Sequence, residues 1–262
     1  MTLFELREVA FRYPSTGAIG VDGVTTSFRE GELVSILGPN GSGKSSLLKL
    51  LARVHVPDRG TLLFEGTLTS KWNGRAYARK IGYLPQAAQS AFPMRALDLV
   101  LSGRAPFLGR FEWESEQDGR VALDALRQCD AEHLADRFVD EMSGGERRRV
   151  ELARVLAGAP RAILLDEPLT ALDAAHAQQF LDLLRRIAGE GGRTVLFVSH
   201  DLNWSAAVSD RMIVMGGGKI VADDVPARIV DGEVIRRCFG WEAEIVESGG
   251  RRWALPRGEG GA

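Results

Sequence analysis

Cysteine is almost missing from this chain of 262 residues: there are two, Cys129 and Cys238, far apart and outside any metal-ligand spacing. That excludes a disulfide-stapled secreted scaffold and is the usage expected in a reducing cytosol. No apolar run approaches the ~18 residues that a membrane-spanning helix needs. Residues 1–8 carry acids where a secretion signal would place an apolar stretch, so none is expected there. Basic charge is not in excess either, with 33 Lys plus Arg against 35 Asp plus Glu and a net charge of −2, so nothing in the balance draws nucleic acid. Repeats and low-complexity segments are lacking. What remains is 45% apolar and 26% charged, ordinary proportions for a folded chain with ample material for a core. At ~150 residues per domain the length suits one large domain or two small ones.

Short β-like runs alternate with helical patterns. Leu33-Val34-Ser35-Ile36-Leu37 reads as a strand, followed by a glycine-rich turn and a helix bearing Leu47, Leu48, Leu50 and Leu51. Ala162-Ile163-Leu164-Leu165 and Thr194-Val195-Leu196-Phe197-Val198 are continuous apolar runs, as expected of strands covered on both faces. Between them Phe180, Leu181, Leu183, Leu184 and Ile187 form a helical stripe that ends at Gly189. Strands separated by helices imply an α/β fold with a mostly parallel sheet. Residues 1–32 and 61–68 lack intervening helices and predict a small antiparallel sheet. Residues 88–158 read as helical, with Leu97, Val100 and Leu101 on one stripe and Val121, Leu123 and Leu126 on another. Residues 211–221 read as a hairpin turning at Gly216-Gly217-Gly218. From Gly249 a Gly- and Arg-rich tail is expected to fray over its last few residues.

Gly38-Pro39-Asn40-Gly41-Ser42-Gly43-Lys44-Ser45 fits G-x-x-x-x-G-K-[ST], with a strand before it and a helix after it. Glycines let successive N–H groups turn inward as a phosphate cradle, completed by Ser46 and the helix dipole. Lys44 would reach β- and γ-phosphate oxygens, and the Ser45 hydroxyl would ligate Mg²⁺. Asp166 and Glu167 emerge from the strand 162–165 at the sheet edge where α/β proteins bind ligands. Asp166 is expected to hold Mg²⁺, through water, and Glu167 to polarise an attacking water. Taken singly, a solvated turn and a strand end would explain these residues; together they point to a P-loop nucleotide-binding protein, with a small-molecule kinase and a mechanical ATPase both still open.

Met142-Ser143-Gly144-Gly145-Glu146-Arg147-Arg148-Arg149 resembles the LSGGQ signature of ATP-binding cassette (ABC) ATPases. The resemblance extends in order along the chain. Tyr13 is similar to that family's adenine-stacking aromatic, Gln86 to the Q-loop glutamine, Ala171-Leu172-Asp173 to the D-loop and His200 to the switch histidine. It implies a single nucleotide-binding domain over residues 1–262, with a helical subdomain at about 88–158 and a short extension at about 240–262. It also implies a head-to-tail homodimer in which Ser143, Gly144 and Gly145 of one protomer cap ATP on the other, with Asp173 at the dimer contact. Gln86 would join Ser45 and Asp166 around Mg²⁺, and His200 would reach the γ-phosphate. Tyr13 also reads as a half-buried strand aromatic, Asp173 as a helix N-cap, and His200 as an ordinary strand-end histidine. Ser143 and Glu146 form an S-x-x-E capping box, which would turn the extra charge of Glu146 away from an anion. His55, His133 and His176 show no such context and are read as structural.

With no spanning helix, such an ATPase delivers its motion to another chain. Phe111 and Trp113, beyond the segment 101–109, either line a notch for a permease loop or pack the subdomain. Ser102-Gly103-Arg104-Ala105-Pro106 and the stretches 235–241 and 253–256 are similar to ATPases of iron–siderophore, heme and cobalamin importers. The resemblance implies a peripheral subunit at the cytoplasmic face of the inner membrane. It would work on a dimeric permease, with an extracytoplasmic binding protein delivering cargo and no nucleic acid involved. Another importer class, an exporter, a soluble ABC ATPase and a nucleotide kinase are the alternatives, the last opposed by the signature.

Overall fold

Thr2–Arg12 forms β1 and Ile19–Arg29 forms β2, each with buried apolar residues interrupted by exposed ones and with irregular pairing between them. The computed structural model describes residues 1–86, 93–109, 111–170, 172–189 and 191–257. These fall into two units, one of residues 1–71 with 194–262 and one of residues 72–193.

In the first unit the chain continues through β3 (Leu33–Leu37), α1 (Lys44–Leu51), β4 (Arg59–Phe64) and β5 (Thr67–Leu68). The expected antiparallel sheet is present in the order β2-β1-β4-β5. Its register sets Phe4 opposite both Phe28 and Phe64, with ring centroids 6.4 and 5.0 Å away. All three rings are fully buried, the cross-strand aromatic packing that stabilises sheets.

The second unit holds α2 (Gly74–Ala78), β6 (Ile81–Leu84), α3 (Ala96–Leu101), α4 (Glu116–Gln128), α5 (Gly144–Ala157), β7 (Ala162–Leu165) and α6 (Ala174–Gly189). β6 and β7 pair in parallel. Helices α3, α4 and α5 pack on one another, as the helical reading of this stretch expects. The buried face of α4 is Ala122, Ala125 and Leu126, while Val121 and Leu123 are half-buried, so the small residues take the tight contact. Residues 88–92 of the expected helical region lie outside the described residues.

The chain then returns to the first unit with β8 (Thr194–Val198), α7 (Leu202–Val208), β9 (Arg211–Gly216), β10 (Lys219–Asp224), α8 (Pro226–Ile229) and α9 (Gly232–Phe239). It closes with β11 (Ala243–Ser248) and β12 (Arg251–Pro256). β3 lies between β8 and β9, parallel to both, and β9 forms the expected hairpin with β10. Every residue of β3 and β8 is buried, which explains their unbroken apolar runs. Gly249-Gly250 is the two-residue turn of a β11–β12 hairpin, so the ordered structure runs further than the Gly- and Arg-rich composition suggests. Asn203 pins that hairpin, donating from Nδ2 to the Ala254 carbonyl (3.0 Å) and accepting the Ala254 N–H at Oδ1 (2.9 Å). The last residues, 258–262, where fraying is expected, lie outside the described residues.

One polar cluster braces the second unit. Arg104 donates from Nε to Asp118 Oδ1 at 2.8 Å and from Nη1 to the Ala157 carbonyl at 3.0 Å, and stacks 3.9 Å from the Phe107 ring centroid. Asp118 also receives the Ser115 N–H and hydroxyl, closing the capping box of α4. Hydrogen bonds from Ser115 and then Arg104 pull the Asp118 carboxyl down to about 2. A carboxyl depressed in the folded state adds stability above its unfolded value near ~4, and that stability is lost as pH falls toward the folded value. Asp118→Asn is therefore expected to lower unfolding free energy at neutral pH by about 1–3 kcal/mol. The deficit relative to the parent should shrink from pH 4 to pH 2 in urea titrations, and a deficit constant over that window would refute the assignment.

Candidate functional site

The sequence motifs fall in both units. Tyr13, the turn 38–46 and His200 belong to the first; Gln86, Ser143, Gly144, Gly145, Asp166, Glu167 and Asp173 belong to the second.

In the first unit β3 runs into the turn and α1 leaves it at Lys44. Gly38 has φ +139°, and a Cβ there would stand 2.2 Å from the Met215 carbonyl oxygen. Gly43, the N-cap of α1, has φ +103°, with a Cβ position 2.2 Å from the Gly20 carbonyl oxygen. Only glycine satisfies both the dihedral and the space at these two positions. Lys44 is buried, and its Nζ donates to the carbonyls of Gly38 (2.8 Å) and Pro39 (2.9 Å). The ammonium thus lies within the turn it is expected to serve. Ser42 is also buried, and among the described residues its Oγ has no hydrogen-bond partner, a donor that a phosphate oxygen could accept. Asn40 and Gly41 are exposed at the rim, Ser45 is half-buried and Ser46 buried. Tyr13 follows β1, and its hydroxyl shares a 2.9 Å hydrogen bond with Ser46 Oγ. Its half-buried ring meets Phe11 and His55 edge-on at 5.1 and 5.6 Å. His55 stacks on Phe11 at 4.5 Å, and burial, with Lys49 nearby, pushes its pKa down. His200 is exposed two residues past the end of β8. Because Ile36 pairs with Val198, the switch position and the cradle leave adjacent parallel strands at the same edge.

In the second unit Leu84 pairs with Leu165, so Gln86 and Glu167 each stand two residues beyond matched strand ends. Gln86 Nε2 donates to Glu167 Oε2 at 2.7 Å, and the Thr170 hydroxyl donates to the same oxygen at 3.3 Å. Glu167 has φ +50°, a conformation rare outside glycine, and Asp166 beside it is buried. Arg148 reaches this corner from α5, donating to the carbonyls of Gln86, Glu167 and Pro168.

The capping box at the signature is formed. Ser143 Oγ accepts the Glu146 N–H at 3.3 Å, and Glu146 Oε2 accepts the Ser143 N–H at 2.9 Å. Glu146 Oε1 also takes Arg137 Nη1 at 2.9 Å, and these bonds, Ser143's first, hold the Glu146 carboxyl below its usual range. Asp173 Oδ1 accepts the His176 N–H at 2.8 Å, so its helix-capping role is real. The His176 Nδ1 lies 2.8 Å from both Asp173 oxygens, and the His176 N–H first, then its ring nitrogen, hold the Asp173 carboxyl below its usual range. A Cβ on Gly145 would sit 2.6 Å from His176 Cδ2, so the histidine ring lies directly on the signature. Ala171, the first D-loop residue, lies outside the described residues.

His176, read as structural, packs between Asp173 and Gly145, and Arg148, which the sequence reading did not single out, reaches the corner of Gln86 and Glu167. The signal for Arg148 was available: with Glu151 three residues later it forms a charged pair on the buried face of α5. Of the insert aromatics, Phe107 packs under Arg79 and Arg104, whereas Phe111 and Trp113 are 88% and 89% exposed.

A strand, a glycine-forced turn and a helix around a buried lysine define a P-loop nucleotide-binding protein. The chain belongs to the ABC transporter family, whose family model matches residues 21–170. ATP hydrolysis coupled to transport is the activity of that family and of this chain. The chain is 39% identical over 239 residues to the hemin import ATP-binding protein of Myxococcus xanthus, covering 88% of each chain. It is 36% identical to the achromobactin transport ATP-binding protein of Dickeya dadantii, covering 94% of this chain and 91% of that one. To the ferric enterobactin transport ATP-binding protein of Escherichia coli it is also 36% identical, over 86% of this chain and 83% of the other. Among solved structures, a metal-chelate type ABC transporter in an inward-facing conformation matches with a TM-score of 0.85 at 27% identity, covering 99% of both chains. The family fold is the α/β P-loop fold expected from the sequence. Among the described residues no helix is long and apolar enough to cross a membrane.

Gly38→Ala is expected to abolish binding of a fluorescent ATP analogue, because its Cβ would drive into the Met215 carbonyl. The steric conflict predicts a concurrent loss of about 1–3 kcal/mol in unfolding free energy. Retained affinity in a folded Gly38→Ala protein would contradict the cradle geometry.

Proposed function

We propose that this chain is the ATP-hydrolysing subunit of an importer for a metal chelate, a ferric siderophore or heme, with cobalamin in the same class. It would act as a head-to-tail homodimer on a separate dimeric permease, peripheral to the cytoplasmic face of the inner membrane. An extracytoplasmic binding protein would supply the cargo. What carries this reading is that relatives named for hemin, achromobactin and ferric enterobactin transport align over most of the chain. The exposed Phe111 and Trp113 are a suitable apolar contact for a permease loop.

In the proposed reaction Lys44 and the amides of residues 38–46 hold the phosphates, with Tyr13 against the base. Ser45, Asp166 and Gln86 present hydroxyl, carboxylate and amide oxygens, the hard donors that Mg²⁺ prefers. Bound with ATP, Mg²⁺ would neutralise charge on the β- and γ-phosphates. Glu167 accepts the proton of the attacking water, held in place by its bond from Gln86. His200 orients the γ-phosphate. Ser143, Gly144 and Gly145 of the second protomer close the site, and Asp173 couples the two sites across the dimer.

Glu167→Gln should leave ATP affinity within about threefold while lowering turnover at least ~10²-fold. Near-normal turnover would remove Glu167 from this role. The cargo is tested by reconstituting the chain with its permease and binding protein in liposomes. ATPase stimulation by ferric siderophores or hemin is expected, and stimulation by amino acids or free divalent metals alone would overturn the cargo reading.

A further inference from the structure

Through its side chain Arg148 touches the main chain of both Gln86 and Glu167. Its side chain is 8% exposed. From that buried position Nε donates to the Pro168 carbonyl at 3.1 Å, and Nη2 donates to the carbonyls of Glu167 at 3.1 Å and Gln86 at 3.3 Å. Nη1 donates to Glu151 Oε2 at 2.6 Å, and Glu151 Oε1 receives Arg147 Nε at 3.1 Å. A buried cation with a paired carboxylate and three carbonyl acceptors is a satisfied charge, not an incidental one.

The guanidinium is a rigid planar fork whose donors point in fixed directions. Here the fork gathers the ends of two parallel strands and locks them to α5. Glu167 needs such a lock, because φ +50° persists for a glutamate only where its surroundings over-determine it. Its carboxylate is then set against the Gln86 amide at 2.7 Å.

We propose that Arg148 is a positioning residue for ATP hydrolysis, fixing the main chain of Gln86 and Glu167 so that the glutamate meets its water in one geometry. The proposal rests on the reading of Glu167 as the proton acceptor. Lysine keeps the charge and the Glu151 pairing but concentrates its donors on one nitrogen, which cannot span the carbonyls of residues 86, 167 and 168 together.

The test compares the parent transporter with Arg148→Lys, Glu167→Gln and the double variant, measuring kcat, KM for MgATP, affinity for a fluorescent ATP analogue and melting temperature. Arg148→Lys is expected to lower kcat at least about tenfold with KM and affinity within about threefold, because misplacing a reacting group costs rate rather than ground-state binding. In the Glu167→Gln background the same change should cost less than about threefold, since the group it positions is already disabled. A kcat within about twofold of the parent would overturn the proposal, as would a loss matched by lost nucleotide affinity or equal in both backgrounds. Glu167→Gln alone reports separately on the glutamate. Near-normal turnover there fails the reading on which the proposal rests, whereas a disabled Glu167→Gln with an active Arg148→Lys fails the proposal alone. If Arg148→Lys does not fold, Arg148→Gln, which retains a single amide donor group, is judged by the same outcomes.

Discussion

The parallel register that sets Leu84 beside Leu165 places Gln86 and Glu167 at equal distances beyond two hydrogen-bonded strands. Pairing Ile36 with Val198 does the same for the cradle and His200. Parallel strands all end at one edge of their sheet, so the residues that follow them gather there whatever their separation in the chain. The strands themselves contribute no chemistry. Burial is complete along β7 and holds both ends of β6, and beyond these two strands a hydrogen bond of 2.7 Å joins side chains 81 residues apart.

Beyond the strand ends, backbone conformations that most residues avoid do the local work. Gly38 and Gly43 take positive φ because carbonyls of Met215 and Gly20 occupy the space where a side chain would go. The cradle is thus shaped by contact with β9 and β2, not by its own eight residues. Glu167 takes positive φ without being glycine, and the cost is met by neighbours that hold its carbonyl and its carboxylate. Such strain is retained only where the structure around it is stronger than the preference it opposes.

This division explains what the sequence discloses. Strands β3, β7 and β8 were legible residue for residue because a strand covered on both faces is an unbroken apolar run. Both capping by Asp173 and the Ser143–Glu146 box were legible because they act over three residues. The β11–β12 hairpin was not, since only Ala254 within it is fully buried, and it is held by packing on residues from distant elements and by Asn203, some fifty residues earlier. The segment 102–106 was read for its resemblance, but its arginine acts by reaching Asp118 and Ala157, partners no local pattern indicates. The pairing of Arg148 with Glu151 is local, but its bonds to the carbonyls of Gln86 and Glu167, like the contact of His176 with Gly145, join residues far apart in the chain and leave no local pattern.

The signature's acidic departure illustrates how local and long-range constraints combine. A carboxylate at Glu146 adds charge beside amides proposed to face a phosphate, which in isolation argues against the role. The capping box turns one carboxylate oxygen back to the Ser143 N–H, and Arg137 takes the other. The charge is therefore spent inside the protomer, and the depressed pKa of Glu146 registers that stabilisation. Gly144 and Gly145, the first two residues of α5, have no intrahelical acceptor for their amides. Glutamate binds the Ser143 N–H at least as firmly as a neutral amide would, because a charged acceptor strengthens the bond and favours the positive end of the helix. The departure from glutamine thus stiffens the loop that presents those two amides, at the expense of a negative charge that Arg137 is placed to offset.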